Sequence, residues 1–320
     1  MSKVAIIYTG ETRTIETTIQ YFKNNVLLNS NYHVFGVVQS DNIEHHNHII
    51  RETIGYNLKH LTWFDKNNPE WITLRENQIQ KMHITDRWKD YLKTSGSMIE
   101  YYQMYLAYQS LEKYEIENNI KYDFVLRFRT DTVLKDSIDF DTIFEKTYIQ
   151  NILYEIKDIL SINTIISEEI LDIFMNSFYS KNRILYKNCD VPKILVTDQL
   201  NKLLEISDEY QFIEELIIYL KNGNYMISFR KNLIYFLRRD LMNYIHVLGI
   251  TYGDYLDEKN SYWFDAESQL ENICARNNID KFNSTTELEG NSLYNYQHLN
   301  YYNENGELKQ DNYSFFIKRY

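Results

Sequence analysis

A charged triplet, Arg129-Thr130-Asp131, directly follows the apolar stretch Phe124–Phe128. The apolar stretch predicts a buried β-strand, and ligands of open α/β sheets bind at the ends of such strands. A carboxylate fixed at this position can hold Mg²⁺ or Mn²⁺ beside a phosphate group. The alternative is structural, because an Asp that follows a strand often caps the next turn. On the triplet alone, both interpretations stay open.

Other polar segments also follow predicted strands. They are Thr9 to Arg13, Gln39 to Asp41 and Thr197 to Gln199. A basic patch comes after the predicted strand Tyr225–Phe229 and consists of Arg230, Lys231, Arg238 and Arg239. The three histidines at 45, 46 and 48 have no Cys, Asp or Glu partners at ligand spacing, so they do not predict a metal site.

The elements that must position these residues alternate between strand and helix. Predicted strands cover Val4–Tyr8, Val34–Val38, His60–Phe64 and Ile194–Val196. One helix is predicted by apolar residues at helical spacing, Ile15, Ile19, Phe22 and Val26. A longer helix is expected from Ser97 to about Asn118, with Ser97 and Glu100 at capping-box spacing. Further helices are expected over 140–180 and from Thr197 to about Asn222. This alternation predicts an α/β fold with a mostly parallel central sheet flanked by helices.

Length and composition limit the classes of protein to which the chain can belong. Its 320 residues suffice for one large domain, which we place at 1–245, followed by a C-terminal extension at 246–320. The net charge of −11 disfavours a nucleic-acid partner. No apolar run reaches the roughly 18 residues of a membrane span, and the N-terminal run is too short for a signal peptide. We therefore expect a soluble, cytoplasmic protein.

The 29 tyrosines have two interpretations. Tyrosine gives a large contact area with a polar tip, which suits carbohydrate and nucleotide surfaces. The chain is also rich in Asn, Ile and Lys throughout, as expected of an AT-rich genome such as that of a large DNA virus, and this bias accounts for tyrosines without a function. The tyrosine-rich C-terminal extension can complete a site, cover a sheet edge or form a homodimer contact.

Four segments in the same order resemble GT-A-type glycosyltransferases. The stretch from Tyr122 to Asp131 is similar to their donor-site strand, and is nearest to a group in which the usual Asp-x-Asp motif reads Arg-x-Asp. The other three are Val4 to Arg13, the tyrosine-rich stretch from Ser97 to Leu111, and Asp198-Gln199. The resemblance covers roughly residues 3–240. The chain departs from the usual motif at Arg129, which replaces an Asp on the metal side and can itself contact a phosphate.

The resemblance implies a role for each candidate residue. Asp131, with His246 as a further ligand, would hold Mn²⁺ or Mg²⁺. Asp198 and Arg129 would act in catalysis. The donor, a UDP-sugar, would be bound by residues from five segments: Thr9, Gly10, Glu11 and Arg13; Gln39, with Asp41 beside it; Gln103 and Tyr105; Arg127; and Arg238 and Arg239.

Each of these roles has a structural alternative. The glycine loop can be a plain strand-to-helix turn with a solvated Arg13, and the tyrosine stripe can be core. Thr197 or Asp198 can be a helix N-cap. Arg238 and Arg239 can form a basic helix face, and a lone His246 is more often not a ligand.

The function implied is transfer of a hexose from a UDP-sugar to a hydroxyl of a glycan or glycoprotein, with glucose as the first candidate sugar. A collagen-like acceptor is included if the source is a large DNA virus. A second hypothesis is a catalytically inactive relative that binds carbohydrate or is structural, and it is favoured by Arg129. A third is another nucleotide-dependent α/β enzyme such as a kinase, which the absence of a Gly-rich phosphate loop disfavours.

Overall fold

The computed structural model describes residues 2–134, 141, 218, 221–230, 233–252, 266–283 and 315–317. The strands are β1 (Val4–Glu11), β2 (Tyr32–Gln39), β3 (Leu58–Trp63), β4 (Phe124–Arg129), β5 (Thr132–Leu134), β6 (Tyr225–Arg230), β7 (Ile234–Arg238), β8 (Asp280–Asn283) and β9 (Phe315–Ile317). The helices are α1 (Ile15–Asn25), α2 (Ile43–Ile54), α3 (Pro69–Lys81), α4 (Asp86–Thr94), α5 (Ser97–Asn118), α6 (Met242–Ile245), α7 (Leu248–Thr251) and α8 (Ala266–Arg276). The elements predicted over 140–180 and from Ile194 to Asn222 lie largely outside these residues.

Seven of the strands form one sheet in the order β3-β2-β1-β4-β7-β6-β8. The pairs β3–β2, β2–β1, β1–β4 and β6–β8 are parallel, whereas β7 runs antiparallel to both of its neighbours. Six strands therefore share one direction and β7 opposes them. The predicted α/β fold with a mostly parallel sheet is confirmed.

The N-terminal strands are buried on both faces, as their continuous apolar sequences predict. In β1 the residues from Val4 to Tyr8 are at most 1 % exposed. On one face of the sheet, Tyr8 stacks on Phe22 of α1 at 4.6 Å between ring centroids. On the other face, Ala5 and Ile7 belong to the core that includes α5. A strand covered on both sides in this way fixes the position of the residues at its end.

Helix α5 has the bounds that its sequence predicts, and much of its tyrosine stripe is core. Tyr101 and Tyr108 are buried, and Tyr101 donates a hydrogen bond to the carbonyl oxygen of Ala266 at 2.6 Å. The predicted capping box is wrong. The N-cap residue is Gly96 and makes no side-chain cap bond. The Glu100 side chain instead contacts two arginines of β4, as described below.

The described residues after 245 pack against the same core as those before it. Leu248, Leu270 and Ile273 belong to the core cluster that also contains Ala5 and Val125. Strand β8 adds an edge to the main sheet beside β6. The division into 1–245 and 246–320 stays a prediction. None of the described helices combines the length and the apolar character that a membrane span requires.

Candidate functional site

A pocket of about 310 Å³ opens at the carboxyl ends of β1, β2 and β4, beside the N-terminus of α5. Seven residues that the sequence singles out line it: Gly10, Glu11, Arg13, Gln39, Gln103, Arg127 and Arg129. They come from four separate segments of the chain. The parallel register of β1 with β2 and β4 brings the segments together, because Glu11 pairs with Gln39 and Thr9 pairs with Arg129.

Four charged side chains form a continuous network at and beneath the floor of the pocket, and three of them line it. Arg129 donates from Nε to Oδ1 of Asp131 at 2.9 Å and from Nη2 to Oδ2 at 2.7 Å. Glu100 lies between the two strand arginines, accepting from Arg127 Nη2 at 3.3 Å and from Arg129 Nη1 at 3.4 Å. Since Arg127 and Arg129 are two residues apart on a strand, both point to the face covered by α5.

Burial and neighbouring charge act on these arginines in opposite directions. Burial lowers the pKa of the Arg127 guanidinium, and the Glu100 carboxylate only partly opposes that effect. Burial also lowers the pKa of Arg129, but the carboxylates of Asp131 and Glu100 outweigh it and raise the pKa above its usual value. An arginine stays protonated in either case. Both side chains are therefore fixed positive charges at the pocket.

The charge that faces the pocket is predominantly positive. Its lining contains the cations Arg13, Lys66, Arg127 and Arg129, and the carboxylates Glu11 and Glu100. Glu11 also forms an exposed ion pair with Arg13 at 3.4 Å. The chain as a whole is acidic, so this local surplus of cations distinguishes the pocket from the average surface. An anionic ligand such as a diphosphate is complementary to it.

The glycine of the first loop is required by close packing. Gly10 has a φ of 135°, in the region that favours glycine. A Cβ added there would lie 2.5 Å from Oγ1 of Thr130. Thr130 in turn donates from Oγ1 to the carbonyl oxygen of Glu11 at 2.7 Å, and its own carbonyl oxygen accepts from Thr18 at 2.6 Å. These bonds fasten the end of β1 and helix α1 to Thr130.

The described residues around Asp131 do not fit the divalent cation that the resemblance implies. Both carboxylate oxygens of Asp131 accept hydrogen bonds from Arg129, and the side chain is 3 % exposed. No group of three His, Cys, Asp or Glu residues suited to a metal occurs in the part of the chain that the structure describes. A cation at Asp131 would have to displace a guanidinium that already neutralises it.

His246 does not lie with Asp131. Its ring stacks on Tyr108 at 4.0 Å and on Tyr105 at 5.8 Å between centroids. Its Nδ1 lies 3.0 Å from the carbonyl oxygen of Met242, and burial lowers its pKa. Tyr105 contacts this ring and is not part of the pocket lining. The positions of His246 and Tyr105 therefore do not support the predicted roles in metal binding and donor binding.

Arg238 and Arg239 lie at the opposite end of the sheet. Because β7 is antiparallel to β4, Arg238 pairs with Phe124 at the start of β4. Arg238 forms an ion pair with Asp240 at 2.5 Å, and Arg239 forms one with Glu115 at 2.7 Å. Both line a second cavity, of about 570 Å³, at this opposite end of the sheet. The expectation that they share a site with Asp131 is not met.

Three further residues were predicted for the site, namely Thr9, Asp41 and Asp198. Thr9 is buried beneath the loop, and its Oγ1 has no hydrogen-bond partner within the described segments. Asp41 is exposed beyond the end of β2, outside the pocket lining. Asp198 lies outside the residues that the structure describes, so its role as a catalytic carboxylate stays a prediction.

The pocket also contains residues that the sequence did not single out for it. They are Lys66, Thr94, Gly96, Ile99 and Glu100. Lys66 follows β3, so a search for charged groups after each parallel strand would have found it. The sequence predicts a capping role for Glu100. The signal for its role was the presence of two arginines in an otherwise buried strand, since buried arginines require a carboxylate nearby.

No protein-family model matches the chain, and a search among curated proteins also finds no match. Among solved structures, the chain is similar to core-mannan synthase A (CmsA/Ktr4) from Aspergillus fumigatus in its Mn/GDP form. The identity is 14 %, the match covers 88 % of this chain and 73 % of that one, and the TM-score is 0.34. The fold assignment rests on the strand order and packing given above.

Proposed function

We propose that the chain is a glycosyltransferase whose pocket binds a nucleoside diphosphate sugar. The observation that carries the proposal is the convergence of seven predicted site residues, six donor-binding and one catalytic, from four segments on one cation-rich pocket. Arg238 and Arg239, which were also predicted to bind the donor, lie at the opposite end of the sheet. The first candidate donor is a UDP-hexose, with glucose as the first sugar to test.

The pocket offers a separate function for each part of such a donor. Arg13, Lys66 and Arg129 supply positive charge for the diphosphate. Gln39, at the end of β2, has an amide that can pair with the edge of a base. Gly10 lets the end of β1 pack closely against Thr130, which fixes the backbone that lines the pocket. The backbone amides of the first turn of α5 add a further group of donors beside the cations.

The reaction transfers the sugar from phosphate to a hydroxyl. The acceptor oxygen forms a bond to the anomeric carbon, the bond between that carbon and the β-phosphate oxygen breaks, and the nucleoside diphosphate leaves with the electron pair. Fixed cations stabilise the charge that develops on the leaving group. The hydroxyl proton must pass to a base, for which Asp198 is our candidate. The acceptor is a hydroxyl of a glycan or glycoprotein.

A second candidate function is supported by the Arg129–Asp131 pair. In it, the chain binds a sugar nucleotide or glycan without turnover, because the carboxylate at the end of β4 is already neutralised. The two candidates differ in a single observable, the release of nucleoside diphosphate.

Thermal unfolding in the presence of nucleotides tests the proposal. UDP, UDP-glucose, UDP-galactose, GDP-mannose and ATP are each titrated with and without Mn²⁺. A ligand at about 100 times its Kd adds about 2.7 kcal/mol to the free energy of unfolding, since it binds only the folded state. We expect a sugar nucleotide to raise the Tm of the natural chain, with a much smaller rise in Arg13→Gln. Arg51→Gln, on the exposed face of α2, is the matched control.

The outcomes separate the candidates. A shift together with release of free nucleoside diphosphate supports the transferase. A shift without release supports the binding protein. A Tm shift with ATP alone would contradict the proposed function. The absence of a shift with all five nucleotides would contradict it as well.

A further inference from the structure

We infer that the described residues of the pocket bind its diphosphate without a divalent cation, with the guanidinium of Arg129 acting in its place. The inference rests on the proposed function for the identity of the ligand as a nucleotide. Its physical basis is separate, and lies in how the charges at the end of β4 are arranged.

The first step concerns Asp131. A carboxylate binds Mg²⁺ or Mn²⁺ through its oxygen atoms, and both oxygens of Asp131 already accept short hydrogen bonds from Arg129, at 2.9 and 2.7 Å. The two groups meet in a parallel, two-bond arrangement, which is the strongest geometry for an arginine and a carboxylate. Exchange of the guanidinium for a hydrated cation would break both bonds inside the protein.

The second step concerns the face that Arg129 turns to the pocket. Its side chain is 18 % exposed, whereas that of Asp131 is 3 % exposed. Arg129 lines the pocket, and Asp131 does not. A ligand therefore meets the cation of this pair and not the carboxylate. In a metal site, the carboxylate would hold a divalent cation, and the ligand would contact that cation. Here the guanidinium of Arg129 presents a positive charge to the ligand at the same end of the strand.

The third step concerns the total charge offered to the ligand. Arg13 and Lys66 flank the pocket from the loops after β1 and β3, and Arg127 lies beneath it. Glu100 links Arg127 and Arg129 and holds their like charges together. The described lining holds four cations and two carboxylates, so it keeps a positive surplus that attracts a diphosphate without a divalent ion. Permanent guanidinium groups make this surplus independent of the metal concentration.

Calorimetric titration of UDP, with EDTA or with Mn²⁺ present, tests the inference on the full chain. We expect the Kd for UDP to change less than about twofold between the two conditions. In EDTA, we expect Arg129→Met to weaken UDP binding by about tenfold or more, since a hydrogen bond to a charged group contributes about 1.5–3 kcal/mol. Arg51→Gln again serves as the control.

Arg129→Met leaves Asp131 buried without its partner and can fail to fold. The double variant Arg129→Met/Asp131→Asn removes both charges and keeps the shapes, so it provides the second measurement. Lys66→Gln, in a surface loop, is a third variant that leaves the pair intact. We expect each to weaken UDP binding in EDTA, the double variant more than Lys66→Gln.

Inorganic pyrophosphate, titrated in EDTA, separates this inference from the proposed function. Pyrophosphate binding that is lost in the double variant supports the metal-free site even if no nucleotide binds and the proposed function fails. The inference is overturned if UDP binds only with Mn²⁺, or if pyrophosphate does not bind in EDTA. The transferase proposal still stands in either case, provided that UDP binds when Mn²⁺ is present.

Discussion

Arg129 and Asp131, two residues apart in the sequence, face each other across the turn at the end of β4 and are joined by two hydrogen bonds. The pair is buried on the carboxylate side and open to the pocket on the guanidinium side. The resemblance implies that this motif holds a metal cation, whereas here the motif itself supplies a cation, the guanidinium of Arg129. Most of what we expect of this protein's chemistry follows from that pair and from Glu100 beside it.

Loss of one partner of the pair will cost more stability than loss of both. Arg129→Met leaves an uncompensated buried carboxylate, which costs about 3–5 kcal/mol of the free energy of unfolding. Arg129→Met/Asp131→Asn is expected to lose less, because neither charge is then left alone. Urea unfolding of both variants measures the difference. Equal losses would show that the two side chains do not depend on each other in the folded state.

Glu100→Gln is expected to destabilise the fold by about 1–3 kcal/mol, because the like charges of Arg127 and Arg129 then lack the carboxylate between them. The same substitution at Glu52, on the exposed side of α2, is the control and should change stability by less than about 0.5 kcal/mol. Chemical unfolding of both variants tests this. A Glu100 variant as stable as the control would mean that the arginines are stabilised by other groups.

Gly10→Ala will destabilise the chain by about 2–5 kcal/mol, because φ is 135° and the added Cβ would lie 2.5 Å from Thr130 Oγ1. Gly55 separates the two causes. It also has a positive φ, of 60°, but no atom lies within 4 Å of its added Cβ. Gly55→Ala should therefore cost about 1–3 kcal/mol, from backbone strain alone and less than Gly10→Ala. Comparable unfolding midpoints for the two variants would argue against the tight contact between the loops.

We expect the free energy of unfolding to depend on pH through His33. Burial, with Lys59 and Lys3 nearby, lowers its pKa from 6.5 to about 4. The unfolded chain therefore binds a proton more readily than the folded chain in this range, so the free energy of unfolding falls as the pH drops from 6.5 towards 4. His33→Gln removes that part of the dependence, and His83→Gln, at an exposed position, does not. Unfolding curves at several pH values decide, and identical pH profiles for His33→Gln and the natural chain would contradict the assignment.

The sequence predicted the central elements of the first half of the fold because their signals are local, but it did not predict α3 or α4. Continuous apolar runs marked β1, β2 and β4, and helical periodicity marked α1 and α5. The sequence did not predict strand β7, Ile234–Arg238, because its apolar residues lie between arginines that form a basic patch in the sequence. Its antiparallel direction depends on tertiary pairing with β4 and β6, which no local pattern encodes.

The candidate site was predictable where position along a strand decides it. Gly10, Arg13, Gln39 and Arg129 all follow or end parallel strands, so the topology of the sheet brings them together. The partners of the charged groups were not predictable. Glu100 has the spacing of a helix cap, and only the packing of α5 on β4 shows that it binds two arginines. Arg238 has the right chemistry but stands at the wrong end of the sheet.

The most direct test of the central claim is a crystal structure of the chain with bound UDP. We predict that the diphosphate lies within hydrogen-bond distance of the Arg129 and Arg13 guanidinium groups, with the base towards Gln39. UDP bound elsewhere, such as in the second cavity beside Arg238 and Lys221 at the opposite edge of the sheet, would contradict the assignment of the pocket and the function built on it.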